Sequence, residues 1–394
     1  MNRPAVESPR RSGPLAGLRI VELAGIGPAP FCAMMLADMG ADVVRVDRAA
    51  FAAGGPDPGR VPQGILHRSR RSVGVDLKHP GGVETLLALV AEADGLLEGF
   101  RPGVAERLGV GPEACLERNP RLVYGRMTGW GQTGPLAHTA GHDLNYLGLS
   151  GLLAHLGPAG GPPVVPLPLI GDFAGGAMFL AFGMVCALLE ASRSGQGQVV
   201  DAAVLDGAAA LGAIYHSLLA QGLWSEQRGT NFNDGGSHYY NVYECSDGRH
   251  ITLGAFEPQF YAELLRRLGL DGEAGLPDQH DPDGWAAMRE RFAALFRTRT
   301  QAQWCELLED TDVCFAPVLS LTEAPMHPHN LARGTFTAPG GVTQPAPAPR
   351  FSRTPGSVQS APAGPGEHTD EVLGAWLGLD QAGIDELRAA GAVV

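Results

Sequence analysis

The sequence predicts an α/β protein: a large domain built on a parallel sheet, followed by a smaller α+β domain. Three observations predict it. Short runs rich in branched residues alternate with helical patterns through the N-terminal half, the order of a parallel sheet covered on both faces. The chain has 394 residues, 44% hydrophobic and 18% charged, enough for two domains and ordinary for a folded protein. Beyond residue 240 the pattern changes to a hairpin around Ser246-Asp247-Gly248 and then three helical runs.

Taken in order, residues 1–12 read as a disordered leader, because "MNRPAVESPRRSG" has arginines but no apolar run to make a secretory signal. "GLRIVEL" (17–23) is the first strand, and "PAPFCAMMLADMGA" is a helix with prolines in its first turn. "DVVRVD" (42–47) and "SVGVDL" (72–77) are strands, and "GGVETLLALVAEAD" is a helix. "GLLEGF" (95–100) and "RLVYGRMTGW" (121–130) are further strands. "FAGGAMFLAFGMVCALL" (173–189) is 17 residues without a charge, at the bottom of the membrane-spanning range. Asp172 and Glu190 bracket it and no basic or aromatic anchor flanks it, so it reads as a helix buried in a core. "GQGQVVDAAVLDGAAALGAIYHSLLAQG" gives a strand and a second helix, and "RGTNFNDGGSHYY" (228–240) reads as a linker. The hairpin "NVYECSDGRHITLGAFE" and the helical runs after it form the small domain. Residues 335–365, rich in Pro, Gly and Ala, read as an extended surface run, and "QAGIDELRAA" as a closing helix. The boundaries so drawn are 13–227 for the large domain with its first linker, 228–325 for the small domain, and 326–394 for a second linker and C-terminal segment.

Charge and motifs remove several function classes. A net charge of −13, from 29 basic and 42 acidic residues, argues against a nucleic-acid binder. The six cysteines are scattered with no C-x-x-C pair, which predicts a reduced, intracellular, cytoplasmic chain without a structural zinc. His327 and His329 have no third ligand nearby and read as loop residues. No G-x-S-x-G, Walker A, H-E-x-x-H or EF-hand pattern is present. The turn "AGIGPAP" lacks a third glycine in register, so it supports a tight strand-to-helix turn near a ligand rather than a dinucleotide fingerprint.

Four places can carry chemistry. His142 and Asp143 stand together in the otherwise apolar "TAGHDLNYLGLSG", placed for proton chemistry, a metal or an exposed loop. Asp172, directly before the long apolar run, reads as a helix N-cap whose backbone N–H groups would keep its pKa low and could also hold an oxyanion. Glu257, before Pro258, reads as a helix-start carboxylate. Arg48, the "HRSRR" run at 67–71 and Arg101 concentrate positive charge in an acidic chain, which suits a phosphate-bearing ligand or a solvated charged face.

The segments "GPLAGLRIVELAGIGPAPF", "GADVVRVDR", "LLEGFRPGVAERLG", "RMTGWGQTGP", "AGHDLNYLGLSG", "GDFAGG", "GQGQVVDAAVLDG" and "GAFEPQFY" together resemble the family III coenzyme A transferases, within them the α-methylacyl-CoA racemase branch. The likeness is collinear from about residue 13 to 355. It implies a large Rossmann-like domain, a smaller domain on two linkers, and a C-terminal return to the large domain. It implies an interlocked homodimer that binds acyl-CoA between the large domain of one subunit and the small domain of the other. It implies no metal or redox cofactor, coenzyme A being part of the substrate. Residue by residue it implies His142 and Asp172 as the acid/base pair and Glu257 as the partner of His142. Ile26, Arg48, Arg101 and the neighbourhood of Arg68 and Arg71 are implied at the coenzyme.

The expected reaction is the interconversion of (2R)- and (2S)-2-methylacyl-CoA thioesters through an enolate. Backbone N–H groups near Asp172 are the expected oxyanion donors. "NYLGLSGLLAHLG" with Met178 and Phe179 is the expected bed for the acyl chain. The alternative is a transferase in which Asp172 attacks the thioester and forms a mixed anhydride. That activity goes in the family with a glycine-rich loop where this chain has Glu257, and it needs no histidine at 142. A non-catalytic acyl-CoA-binding scaffold is a third reading.

Overall fold

The computed structural model describes residues 11–55 and 64–394, so the expected leader lies outside the described residues except for its last two. It divides into two compact units. One comprises Met1–Ser150, Leu167–Leu211 and Leu331–Val394; the other comprises Gly151–Pro166 and Gly212–Asn330.

The first unit alternates strand and helix as the sequence predicts. In chain order it runs β1 (Arg19–Leu23), α1 (Pro28–Asp38), β2 (Asp42–Arg48), α2 (Ala49–Ala52), β3 (Arg71–Val75), α3 (Pro80–Ala91), β4 (Gly95–Glu98), α4 (Val104–Arg107), α5 (Pro112–Arg118) and β5 (Val123–Thr128). Then come α6 (Asp143–Ser150), a π-helix (Leu169–Met178) that continues directly into α7 (Phe179–Ser194), β6 (Gln198–Ala203) and α8 (Val204–Leu211). The six strands are parallel, in the order β3-β2-β1-β4-β5-β6, the doubly wound order of Rossmann-type folds.

Strand periodicity sends alternate residues to opposite faces, and both faces are covered. Ile20, Val43, Leu97 and Val123 pack with α1 and α7 on one side. Val21, Val44, Leu96 and Tyr124 pack with α3 on the other. The helix Leu169–Ser194 is long and apolar enough to cross a membrane, but Leu180, Ala181, Met184, Ala187 and Ala191 are buried against the sheet. Its opposite side exposes Met178, Phe179, Phe182, Val185 and Leu189.

Besides Gly151–Pro166, the second unit takes the chain from Gly212 on, where its first helix is α9 (Ala213–Ala220). It contains a three-stranded antiparallel sheet, β7 (Tyr240–Glu244), β8 (His250–Gly254) and β9 (Phe315–Pro317), with α10 (Pro258–Leu268), α11 (Pro282–Phe296) and α12 (Gln301–Leu308). Tyr239, Phe292, Phe296 and Trp304 centre its core. The hairpin is where the sequence predicts it; β9 is too short to show as a pattern. The expected linker at 228–240 is different in kind. Ser237, His238 and Tyr239 are fully buried. The Asp234 carboxylate accepts from the N–H groups of Gly229, Asn231 and Gly236, so the glycine- and asparagine-rich composition encodes a tight turn rather than slack. His327 pairs with Glu309 at 2.7 Å.

The C-terminal segment belongs to the first unit. After α13 (Pro328–Arg333) and the short pair β10 (Phe336–Thr337) and β11 (Gln344–Pro345), it forms α14 (Thr369–Leu377) and α15 (Gln381–Ala389). Val372, Leu373, Trp376, Ile384 and Val393 complete the core on the α3 face, and the Val394 N–H bonds the Gly74 carbonyl on the edge strand β3.

Candidate active site

In an open parallel sheet, ligands bind beyond the carboxyl ends of the strands, where the strand order reverses. Here that point lies between β1 and β4, and a cavity of about 620 Å³ opens there. Its walls are the turns leaving β1 (Ala24 to Ala29), β4 (Gly99 to Pro102) and β5 (Met127 to Trp130), with the end of β2 at Arg48. The volume suits an organic ligand of substantial size.

The strands next to the cavity carry buried, paired charge, and Arg45 and Asp47 themselves line it. Glu22 and Arg70 are both fully buried and bonded to each other. Arg126 bonds Glu98 at 2.8 Å, and Arg45 bonds Asp47 at 2.8 Å, with the Ser72 hydroxyl donating to Asp47 at 2.6 Å. Burial pushes the Glu22 carboxyl up from its ordinary value, and Arg70 opposes that push.

His142 and Asp172 both line the cavity. His142 immediately precedes α6: its N–H donates to Asn145 Oδ1 at 3.0 Å, and its carbonyl accepts from the N–H groups of Asn145 and Tyr146. Its imidazole is exposed and bonded to no described residue. Asp172 reaches the cavity differently from the N-cap that the sequence suggests. It lies inside the π-helix, whose N-cap position is Pro168, and its N–H donates to Asp143 Oδ1 at 2.6 Å. Wide helical turns of this kind recur at functional sites.

Asp172's carboxyl is pushed up to about 6, first by burial, then by repulsion from Asp143, with His142 opposing. The sequence-based expectation of a low pKa is therefore reversed. The N-cap reading assumed N–H groups around the carboxylate, whereas the structure gives it a half-buried place beside a second carboxylate. Gly27 turns the chain from β1 into α1 at φ 79°, a left-handed conformation that favours glycine, and its Cα side faces Asp172 Oδ2 at ordinary contact distance.

Of the basic set, Arg48 and Arg101 line the cavity with exposed side chains, and Ile26 sits at its mouth, 78% exposed. Arg68 and Arg71, expected at the coenzyme, do not line it. Arg68 is buried against Asp38, Gln344 and the Pro345 carbonyl, and Arg71 bridges Asp42 and Glu371. Carboxylates distant in sequence take these two guanidiniums, a pairing that a local charge count cannot show. The acyl-bed expectation also needs correcting: of "NYLGLSGLLAHLG" only Tyr146 lines this cavity, and Met178 and Phe179 do not.

Glu257 is in the second unit, exposed, at the N-cap of α10 with Pro258 following, and it makes no side-chain cap bond. Sequence reasoning placed Tyr146 only within the acyl bed and missed its part in holding the His142 loop. Its phenol donates to the Gly141 carbonyl and its ring meets Trp130 edge-on at 4.7 Å, which ties down the loop carrying His142. Reading 143–150 as a helix would have placed Tyr146 one turn after His142.

The fold is a Rossmann-type domain whose switch-point cavity is lined by His142 and Asp172, and comparison with known proteins gives the family. The family description "CoA-transferase family III" matches residues 15–369, and the chain belongs to that family. It is 45% identical to α-methylacyl-CoA racemase of Mus musculus over 378 residues, covering 95% of this chain and 96% of that one. It is 44% identical to α-methylacyl-CoA racemase of Homo sapiens, covering 91% of this chain and 92% of that one. Among solved structures, a CAIB/BAIF family protein from Brucella suis superposes with a TM-score of 0.77 at 27% identity, covering 92% of this chain and 99% of that one.

Proposed function

We propose that the protein is an α-methylacyl-CoA racemase that interconverts the 2R and 2S thioesters by removing the α-proton on one face and returning a proton on the other. The observation that carries this reading is that His142 and Asp172 share one cavity, with the carboxyl pushed up to about 6. A two-base racemase needs each group to serve as base in one direction and acid in the other. An ordinary imidazole titrates near ~6.5 and an ordinary aspartate near ~3.9, a poor match. Raising Asp172 to about 6 lets this carboxyl hold a proton as well as release one near neutral pH, as a group that serves in both directions must. The racemase relatives support the same reading.

The enolate oxygen needs donors. The Asp172 N–H is already taken by Asp143, and the His142 N–H by Asn145. We assign the role to the N-terminus of α6, where the Asp143 N–H has no acceptor among the described residues. Arg48 and Arg101 are proposed to hold coenzyme A phosphates. Glu257 is proposed to orient His142 and support its imidazolium form in an interlocked homodimer. The exposed apolar side of α7 is the kind of surface such a dimer covers. The chemistry so written uses no cofactor beyond the coenzyme A of the substrate.

The test is incubation with a 2-methylacyl-CoA in D2O. The reading expects α-deuterium without any acceptor acid, and loss of exchange in His142→Ala and in Asp172→Ala. Exchange that depends on an added carboxylic acid would favour the transferase, and unchanged rates in both variants would favour the scaffold.

A further inference from the structure

We propose that Asp143 is a positioning residue for Asp172: its carboxylate grips the Asp172 N–H and sets a second negative charge against the Asp172 carboxyl. The kinetic consequence rests on the reaction proposed above; the structural one does not.

Three observations carry it. Asp143 is 6% exposed, so its carboxylate sits where water does not screen it, and its Oδ1 lies 2.6 Å from the Asp172 nitrogen. Position 171 is shaped for that contact, since a Cβ on Gly171 would stand 2.3 Å from Asp143 Oδ1. Asp143 is also the first residue of α6, directly after His142. One short bond therefore ties the start of the helix that follows His142 to the π-helix that carries Asp172. It fixes how the two acid/base groups stand relative to each other. It also supplies an acceptor to a first-turn N–H that a helix leaves without one.

The same carboxylate acts electrostatically. Two carboxyl groups held together disfavour ionisation of one of them. Burial and Asp143 raise Asp172, and His142 lowers it. Tyr146 and Arg101 complete the charged and titratable surroundings on the cavity side. From the other packed elements, α1 brings no acidic residue in its first turn. Arg126 of β5 is engaged with Glu98 and Glu106, and Asp201 of β6 and Asp206 of α8 are exposed.

The test uses the full chain with 13C-labelled aspartate, the Asp172 carboxyl signal being assigned by its loss in Asp172→Asn. Asp143→Asn keeps an oxygen for the Asp172 N–H but removes the charge. The expected result is a fall of about one pH unit in the Asp172 titration midpoint. Gly171→Ala pushes the Asp143 carboxylate away by a different route and moves the midpoint in the same direction. In α-proton exchange, Asp143→Ala lowers kcat at least about tenfold with KM little changed, Asp143→Asn recovers much of that loss, and its acid inflection follows the titration midpoint. A midpoint unmoved in both Asp143→Asn and Gly171→Ala, with folding intact by near-UV circular dichroism, overturns the proposal. So do equal losses in Asp143→Ala and Asp143→Asn. A shifted midpoint in a protein whose wild type exchanges no α-proton supports the Asp143 link and removes the racemase reading.

Discussion

Asp172 and Glu257 carry the same signature in sequence, an acidic residue at the start of a helical run, and the folded protein treats them in opposite ways. Glu257 is what the signature says, an exposed N-cap residue with extended backbone (φ −75°, ψ 143°) and proline next. Asp172 is inside its helix, half-buried, bonded through its N–H to another carboxylate, and pushed up to about 6. Sequence position alone fixes neither solvation nor neighbours. A helix-start carboxylate is an acid of ordinary strength only while water and N–H groups surround it.

The comparison can be broken most directly by deleting each side chain. Asp172→Ala is expected to lower α-proton exchange by about 10²- to 10⁴-fold, the usual worth of a general acid/base, and Glu257→Gln by less than about 10²-fold, as an orienting group. Equal losses, measured with one 2-methylacyl-CoA, would put the two residues back in one class. Exchange in the direction that uses Asp172 as base should fall off below pH about 6, and in the direction that uses it as acid above that value. Glu257→Gln should leave that inflection in place.

Stability sharpens the contrast. Asp172 titrates higher folded than unfolded, so its contribution is fully present below the unfolded value of about 3.8 and is lost as pH rises through about 6. Asp172→Asn should therefore raise the unfolding free energy read from urea titrations relative to wild type at pH 8, by about 1–2 kcal/mol at most, and change it little at pH 4. The smallest effects belong to the two arginines proposed to hold coenzyme A and to the proline. Arg48→Ala and Arg101→Ala should each raise KM about tenfold with kcat nearly constant. Pro258→Ala should change unfolding free energy by no more than about 1 kcal/mol.

Much of the fold was legible because its signals are local. The strands at 17–23, 42–47, 72–77, 95–100 and 121–130 reappear within a few residues as β1 to β5, since branched runs between turns mark buried parallel strands. The expected closing helix is α15. What was not legible depends on tertiary neighbours. Arg48 and Arg68 look alike in sequence, and only the arrival of Asp38 and Gln344 separates a cavity residue from a buried pair. The wide turn at Leu169–Met178 gave no warning, because the same apolar run suits an α-helix. α14 was missed because "TDEVLGAWL" has too few turns to show a period against the proline-rich stretch before it.

The C-terminal helices bear on how the chain is made. The core on the α3 face needs Val372, Leu373, Trp376, Ile384 and Val393, all from the last 23 residues, while its partner strands are synthesised first. At about 5–20 residues per second, those strands wait many seconds on the ribosome with that face incomplete. The Gly212–Asn330 body, whose sequence is nearly continuous, can finish folding in the interval. A stalled or prematurely released nascent chain would thus display an apolar sheet face.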